Sequence, residues 1–209
     1  MKLKILITGL LAGFLFLFPQ ILYSQNLPEV VALRNLHLRE GTNPIVFQNY
    51  YKDWCDKISQ NSKGASGWIM YGDRGAQKGH YCFAWGFNFL ATRNYYFPES
   101  DQANYPQWNA VLEKFHFRPP TDQLVDSISD YTDFVVIGYN SLIDPQIGQL
   151  ICVSYFDIPE NKQSQFERFV SYELQPGFQN DIDGFRVYVL KGDRGSMTGK
   201  YALFRVFDS

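Results

Sequence analysis

"YGDRGAQKGHY" (Tyr71–Tyr81) and "KGDRGSMTGKY" (Lys191–Tyr201) set Gly-Asp-Arg-Gly, a further glycine four residues on and a closing tyrosine at one spacing, displaced by 120 positions from Gly72 to Gly192. Each copy sits between β-branched and aromatic runs. "WIMY" (68–71) and "HYCFAWGFNF" (80–89) flank the first, "FRVYVL" (185–190) and "KYALFRVFD" (200–208) the second. Glycine tolerates positive φ and an aspartate side chain accepts amide hydrogen bonds within a turn, so each copy reads as the connection of a β-hairpin. A fold that repeats a hairpin at this distance is expected to repeat what surrounds it.

Working outward, "VVALRNLHL" (30–38) reads as a strand. Thr42 and Asn43 before Pro44 then mark a helix start, because a capping side chain accepts an orphan amide and proline suits the first turn. Phe47, Tyr50, Tyr51, Trp54 and Ile58 recur at three- and four-residue spacing as one apolar stripe. After the first hairpin, Tyr105, Trp108, Val111, Leu112 and Phe115 form a second stripe, which Arg118-Pro119-Pro120 ends. A short amphipathic turn around Leu124, Val125 and Ile128 leads into the strand "TDFVVIGYN" (132–140). The order is β-α-β-β-α-β, that of a ferredoxin-like unit.

From Gly148 the order begins again. "QLICVSYF" (149–156) is a strand, and a helix across 158–174 turns Phe166, Phe169, Val170 and Leu174 inward ahead of the second hairpin. Phe47 maps to Phe166 and Tyr50 to Phe169 at an offset of 119, which a one-residue slip in the intervening loop reconciles with 120. The expected fold is α+β: two tandem ferredoxin-like units, residues 27–145 and 146–209, forming an intramolecular α+β barrel. Asp208 aligns with Asn88, and "FLATRNYYFP" (89–98), the second helix and the fourth strand find no counterparts after Ser209. The repeat therefore predicts an incomplete second unit, a natural protein about 50 residues longer, and an open edge that invites self-association.

Lys2 and Lys4 precede an apolar run from Ile5 to Phe18, then Pro19 and a polar turn, in the order of a secretory signal across residues 1–24 with cleavage near Ser24. The run is shorter than the roughly 20 residues a spanning helix needs, so a soluble periplasmic or secreted protein is expected, without membrane attachment after cleavage. Three cysteines cannot all pair within one chain; Cys55, Cys82 and Cys152 read as small buried hydrophobes. A formal charge of −2 gives no reason to seek nucleic acid.

The tandem arrangement resembles the dimeric α+β-barrel superfamily. "GDRG…GKY…FDS" in the second half, with "YFP" at Tyr96–Pro98, resembles an exported bacterial group without an assigned activity. The resemblance to the wider superfamily implies cofactor-independent oxygenases, haem-degrading enzymes, haem-dependent peroxidases and proteins with no known activity alike, and fold alone does not choose among them.

Candidate site residues are few. Asn35, His37 and Arg39 make a polar row on the first strand, with His37 the candidate base. Its counterpart at offset 119 is Phe156, while His80 and His116 read as surface positions. Trp68, Phe83, Trp85, Tyr139 and Phe156 lie on strands and either fill the barrel or line a cavity for a flat apolar ligand. Arg74 and Arg194 make the turns, or grip an anion as a symmetric pair. No nucleophile elbow, phosphate loop, dinucleotide fingerprint or zinc spacing occurs, so neither metal nor cofactor is expected, with haem reserved for the enzyme alternative. The leading expectation is an exported ligand-binding or interaction module. The alternative is an oxygenase-like enzyme acting on an apolar aromatic molecule.

Overall fold

Seven residue pairs, from Ala65↔Phe87 to Tyr71↔Tyr81, join the strands of the first hairpin. The seven pairs of the second run from Phe185↔Phe207 to Lys191↔Tyr201, each displaced by 120. These registers belong to a computed structural model that describes residues 27–99, 105–114, 124–129, 131–140, 148–174 and 185–207. The signal-like segment, Phe115, His116, the Arg118–Pro120 stop, the expected unit boundary at 145/146 and the Asp208–Ser209 end lie outside the described residues.

The strands are β1 (Val30–Leu38), β2 (Ala65–Tyr71), β3 (Tyr81–Phe87), β4 (Val125–Ile128), β5 (Thr132–Tyr139), β6 (Leu150–Phe156), β7 (Phe185–Arg194) and β8 (Tyr201–Phe207). The helices are α1 (Pro44–Asn61), α2 (Leu90–Tyr96), α3 (Pro106–Lys114) and α4 (Glu160–Phe169), the last continued by a π-helical turn over Val170–Leu174. The sheet runs β2-β3-β1-β5-β7-β8-β6, with β4 paired to β1. Its first four strands have the ferredoxin-like order. Pairing of β5 with β7 joins the halves into one antiparallel sheet.

That sheet curls into a half-barrel. Tyr155 of β6 stacks on Phe134 of β5 with ring centroids 6.2 Å apart, although β7 and β8 intervene in the sheet order. Among the described strands, β2 pairs with β3 alone and β6 with β8 alone.

Side chains alternate between two faces. On the convex face, Phe47, Tyr51, Trp54 and Ile58 of α1 pack with Phe83, Trp85 and Phe87 of β3. Each such burial contributes roughly 1.5–3 kcal/mol. Asn43 Oδ1 accepts from Ile45 N at 2.9 Å and Val46 N at 3.4 Å, so cap and stripe begin α1 as the sequence predicts. On the concave face, Leu33, Phe134, Tyr188, Leu190, Phe204 and Val206 fill the interior. Glycines make room for the tryptophans on both sides: a Cβ on Gly67 would reach 2.8 Å from Trp85, and one on Gly86 would reach 2.3 Å from Trp68.

Three sequence expectations change. The turn around Val125–Ile128 is β4, because a four-residue strand shows too little alternation to declare itself and is fixed by pairing Leu36↔Ile128. Leu90–Tyr96 forms a helix that no apolar stripe announces; it is anchored by ion pairs of Arg93 and by the Tyr96 hydroxyl, which accepts from Lys63 N at 2.8 Å. Phe169 is 43% exposed, because the π turn rotates the buried position to Val170. Val170 packs on Gly138 beside a bulge in β5, where an added Cβ would lie 2.3 Å from Val170 Cγ1.

Candidate functional site

The Gly72–His80 loop closes on itself. Gly72 N donates to His80 O at 2.8 Å, Gly79 N to Gly72 O at 2.8 Å, Lys78 N to Gly75 O at 3.2 Å and His80 N to Gln77 O at 3.0 Å. The Gly192–Lys200 loop repeats all four bonds at the matching positions, at 2.8, 2.9, 3.2 and 2.9 Å. This backbone needs glycine: Gly75, Gly79, Gly195 and Gly199 have φ of 72°, 82°, 85° and 75°.

The two arginines of the loops stand in different surroundings. Arg194 donates to Glu99 Oε1 at 3.1 Å, Phe97 O at 2.8 Å and Asn94 Oδ1 at 2.8 Å. Arg74 is 92% exposed and pairs with its neighbour Asp73 at 3.2 Å. They do not converge on one cavity, so the geometry gives no shared anion grip.

The loop positions His80 beside the end of β1. Leu36 pairs with Tyr81, and the next residues outward, His37 and His80, bring their rings to 4.8 Å between centroids at 69°. Both rings line a cleft of about 460 Å³ shared with Leu38, Pro44, Gln48, Tyr71 and Tyr81. Gln48 Nε2, on the first turns of α1, donates to Tyr81 Oη at 2.8 Å. Two imidazoles side by side in one cleft can hydrogen-bond a hydroxyl or carboxyl group and exchange a proton with it.

The same spot in the second half is chemically different. Glu167 Oε1 accepts from Tyr201 Oη at 2.7 Å and meets Lys191 Nζ at 2.7 Å, where the first half has Gln48, Tyr81 and Tyr71. Burial raises the Glu167 carboxyl, but hydrogen bonds from Lys191 and Tyr201 outweigh it and hold the group below its ordinary value. Burial and the Glu167 acceptor push the Tyr201 phenol up. The ladders β1–β3 and β6–β8 run in step at an offset of 120, from Val30/Leu150 to Leu36/Phe156. Hence His37 corresponds to Asp157 rather than to Phe156, and the helix offset of 119 reflects two compensating one-residue slips, one before the helix and one after it. Where the first half holds His37, His80 and Tyr71, the second holds Asp157, Lys200 and Lys191.

Of the eight residues read from the sequence as the polar row or as possible cavity lining, His37 lines this cleft. Asn35 is tied to Ser129, its backbone N donating to Ser129 Oγ at 2.9 Å, and Arg39 stands 3.6 Å from Asp126. Trp85 is fully buried on the convex face, donating to Tyr131 Oη at 3.2 Å. Phe83 also packs there, and Phe156 lies against Phe166 and Tyr201. Trp68 and Tyr139 adjoin the concave core. His80, read from the sequence as a surface residue, is half-buried. Its partnership with His37 spans 43 positions and depends on register, which no local pattern carries. A haem does not fit the residues present: the concave interior is occupied by Phe134, Tyr188, Leu190 and Phe204, and both described histidines stand at the rim.

The cysteines divide by environment. Burial pushes the Cys55 thiol up to about 12 and the Cys82 thiol up to about 11. Cys152, expected inside, is exposed on β6 and accepts from Arg205 Nη2 at 3.2 Å. No described helix is long and apolar enough to cross a membrane.

The sequence matches no family model and no curated protein. Solved structures share the fold. A provisionally assigned monooxygenase from Fusobacterium nucleatum subsp. nucleatum superposes with TM-score 0.54 at 12% identity, covering 87% of this chain and 76% of that one. Another provisional monooxygenase, from Lactobacillus acidophilus, gives TM-score 0.55 at 9% identity over 87% and 77%. Likeness at these identities establishes the α+β fold.

Proposed function

We propose that this chain is an exported small-molecule-binding protein whose ligand, a planar aromatic molecule bearing an ionisable hydroxyl, seats in the His37–His80 cleft. The observation that carries this reading is the contact of two imidazoles at the mouth of a cleft also lined by Tyr71 and Tyr81. Imidazole nitrogens can accept or donate to the hydroxyl, and the phenol rings suit an aromatic plane. A volume of about 460 Å³ suits one or two rings. Export is supported by the Lys2–Phe18 pattern, and intact mass of the mature protein should show loss of about 24 residues.

An oxygenase reading is favoured by the fold shared with two provisionally assigned monooxygenases. In that reading an imidazole takes the hydroxyl proton of the bound molecule and leaves an electron-rich phenolate for dioxygen.

Titration with 4-nitrophenol, whose absorbance reports ionisation, tests both readings against nitrobenzene, which lacks the hydroxyl. The phenol should bind at least about tenfold more tightly, since a polar site left unpaired rejects the analogue. His37→Ala and His80→Ala should each abolish that preference while the unfolding midpoint stays in place. Unchanged phenol binding in both variants refutes the site. Oxygen consumption with an electron-rich phenol, present in the parent and lost in His37→Ala, decides for the oxygenase.

A further inference from the structure

We infer that His37 and His80 form a two-imidazole chelate for a divalent transition cation of the copper, nickel or zinc class; this rests on reading the same cleft as the ligand site. The pair is built by the sheet rather than by chance proximity of flexible chains. β1 and β3 are registered through seven pairs from Val30↔Phe87 to Leu36↔Tyr81. His37 and His80 are the next residues beyond the last pair, and the four-bond loop closure fixes the backbone of His80.

The separation of the rings is that of two imidazoles sharing one ion. With metal–nitrogen bonds of about 2.0–2.1 Å and ring centres about 1.2 Å further out, two imidazoles at roughly 90–109° on one ion have centroids about 4.5–5.2 Å apart. The observed separation is 4.8 Å. Imidazole selects copper, nickel and zinc over magnesium and calcium, which prefer oxygen donors.

Two protein ligands leave the remaining coordination positions to water or to a ligand in the cleft, so the site is labile. Among the described residues no third His, Cys, Asp or Glu gathers with this pair. The second half has Asp157 and Lys200 at the matching positions, and an ammonium offers no lone pair. One chelate per chain is therefore expected. Its signal is invisible in the sequence because the two ligands are 43 positions apart and neither belongs to a close-set motif.

Chelator-treated full-length protein titrated calorimetrically with Cu²⁺, Zn²⁺ and Mg²⁺ provides the test. One equivalent of Cu²⁺ should bind more tightly than Zn²⁺, and Mg²⁺ should give no heat at this site. His37→Ala and His80→Lys should each weaken Cu²⁺ by about tenfold or more, and the double variant by little beyond either single one, because two ligands of one ion act as a unit. Lysine is the residue that the matching loop already carries, so His80→Lys preserves the backbone. Binding that survives either substitution, or losses that simply add, overturns the chelate. Phenol binding by metal-free protein is measured alongside. If it persists while no cation binds, the chelate alone falls; if the cation binds and the phenol does not, the small-molecule reading falls and the chelate stands.

Discussion

Asp193 stands 2.6 Å from the buried guanidinium of Arg93, whereas Asp73, its counterpart 120 positions earlier, pairs at the surface with its own neighbour Arg74. Arg93 also meets Asp133 of β5, so one cation clasps a strand of the first half and the loop of the second. The loops share a backbone and differ in what surrounds them. β7 lies between β5 and β8, and its loop is held by α2; β2 forms an end of the described sheet.

The clasp should dominate the stability of that junction. Arg93 is 2% exposed, and its removal leaves two carboxylates, one of them buried, without their cation. Arg93→Met should cost about 3–5 kcal/mol in urea unfolding, while Arg74→Ala stays within about 0.5 kcal/mol. Burial already raises the Asp133 carboxyl, with Arg93 pulling the other way. Without Arg93 the folded value should rise further. A carboxyl raised on folding opposes folding as pH climbs through its folded value, so the deficit of Arg93→Met should shrink in acid. A deficit independent of pH, or no deficit, contradicts the clasp.

Gly72 and Gly192 offer a matched pair. A Cβ would lie 1.7 Å from Gln77 O in the first loop and 1.8 Å from Met197 O in the second, both backbone atoms that cannot swing aside. Alanine at either position should therefore open its loop. Gly192→Ala should lower the unfolding midpoint more, because among the described strands β7 has two partners and β2 one. Gly72→Ala should mainly increase amide exchange in the first hairpin. Equal, small effects would mean that the loops are not held as described.

Much of this architecture was legible because apolar periodicity and glycine spacing are local signals. Phe47, Tyr51, Trp54 and Ile58 announce α1, and the repeated glycines announce both hairpins. What escaped was set by tertiary contact. β4 has four residues and exists because β1 extends past β5; α2 rests on ionic clasps that carry no period; the π turn replaces Phe169 by Val170 at the sheet. The site was half legible. His37 stands out on its strand, but its partner is specified by register across β1 and β3, and the match of Gln48–Tyr81 to Glu167–Tyr201 appears only when the helices meet the sheet.

Glu167 predicts an acid-sensitive component in the second half. Its carboxyl is held below the ordinary value of 4.5 by Lys191 and Tyr201. A carboxyl depressed on folding stabilises above its unfolded value, and that contribution is lost as pH falls through the folded value. Glu167→Gln should thus be less stable than the parent near neutrality and converge on it below about pH 4. Because the pair is partly exposed, the gap should be about 1 kcal/mol or less and should narrow in high salt. Thermal unfolding across this pH range checks it; parallel curves would assign Glu167 no linkage.

The thiols should separate cleanly under alkylation. Cys55 is buried beneath α1, and burial pushes its thiol up to about 12, so little thiolate is available and the sulfur is inaccessible in the folded protein. Cys82 is half-buried, with its thiol pushed up to about 11 by burial. Cys152 is exposed, and the guanidinium of Arg205 lies 3.2 Å from its sulfur. Iodoacetamide at neutral pH, followed by peptide mass mapping, should therefore label Cys152 first and leave Cys55 unmodified until denaturant is added. Labelling of Cys55 at the rate of Cys152 in native buffer would show that α1 does not stay packed on the sheet.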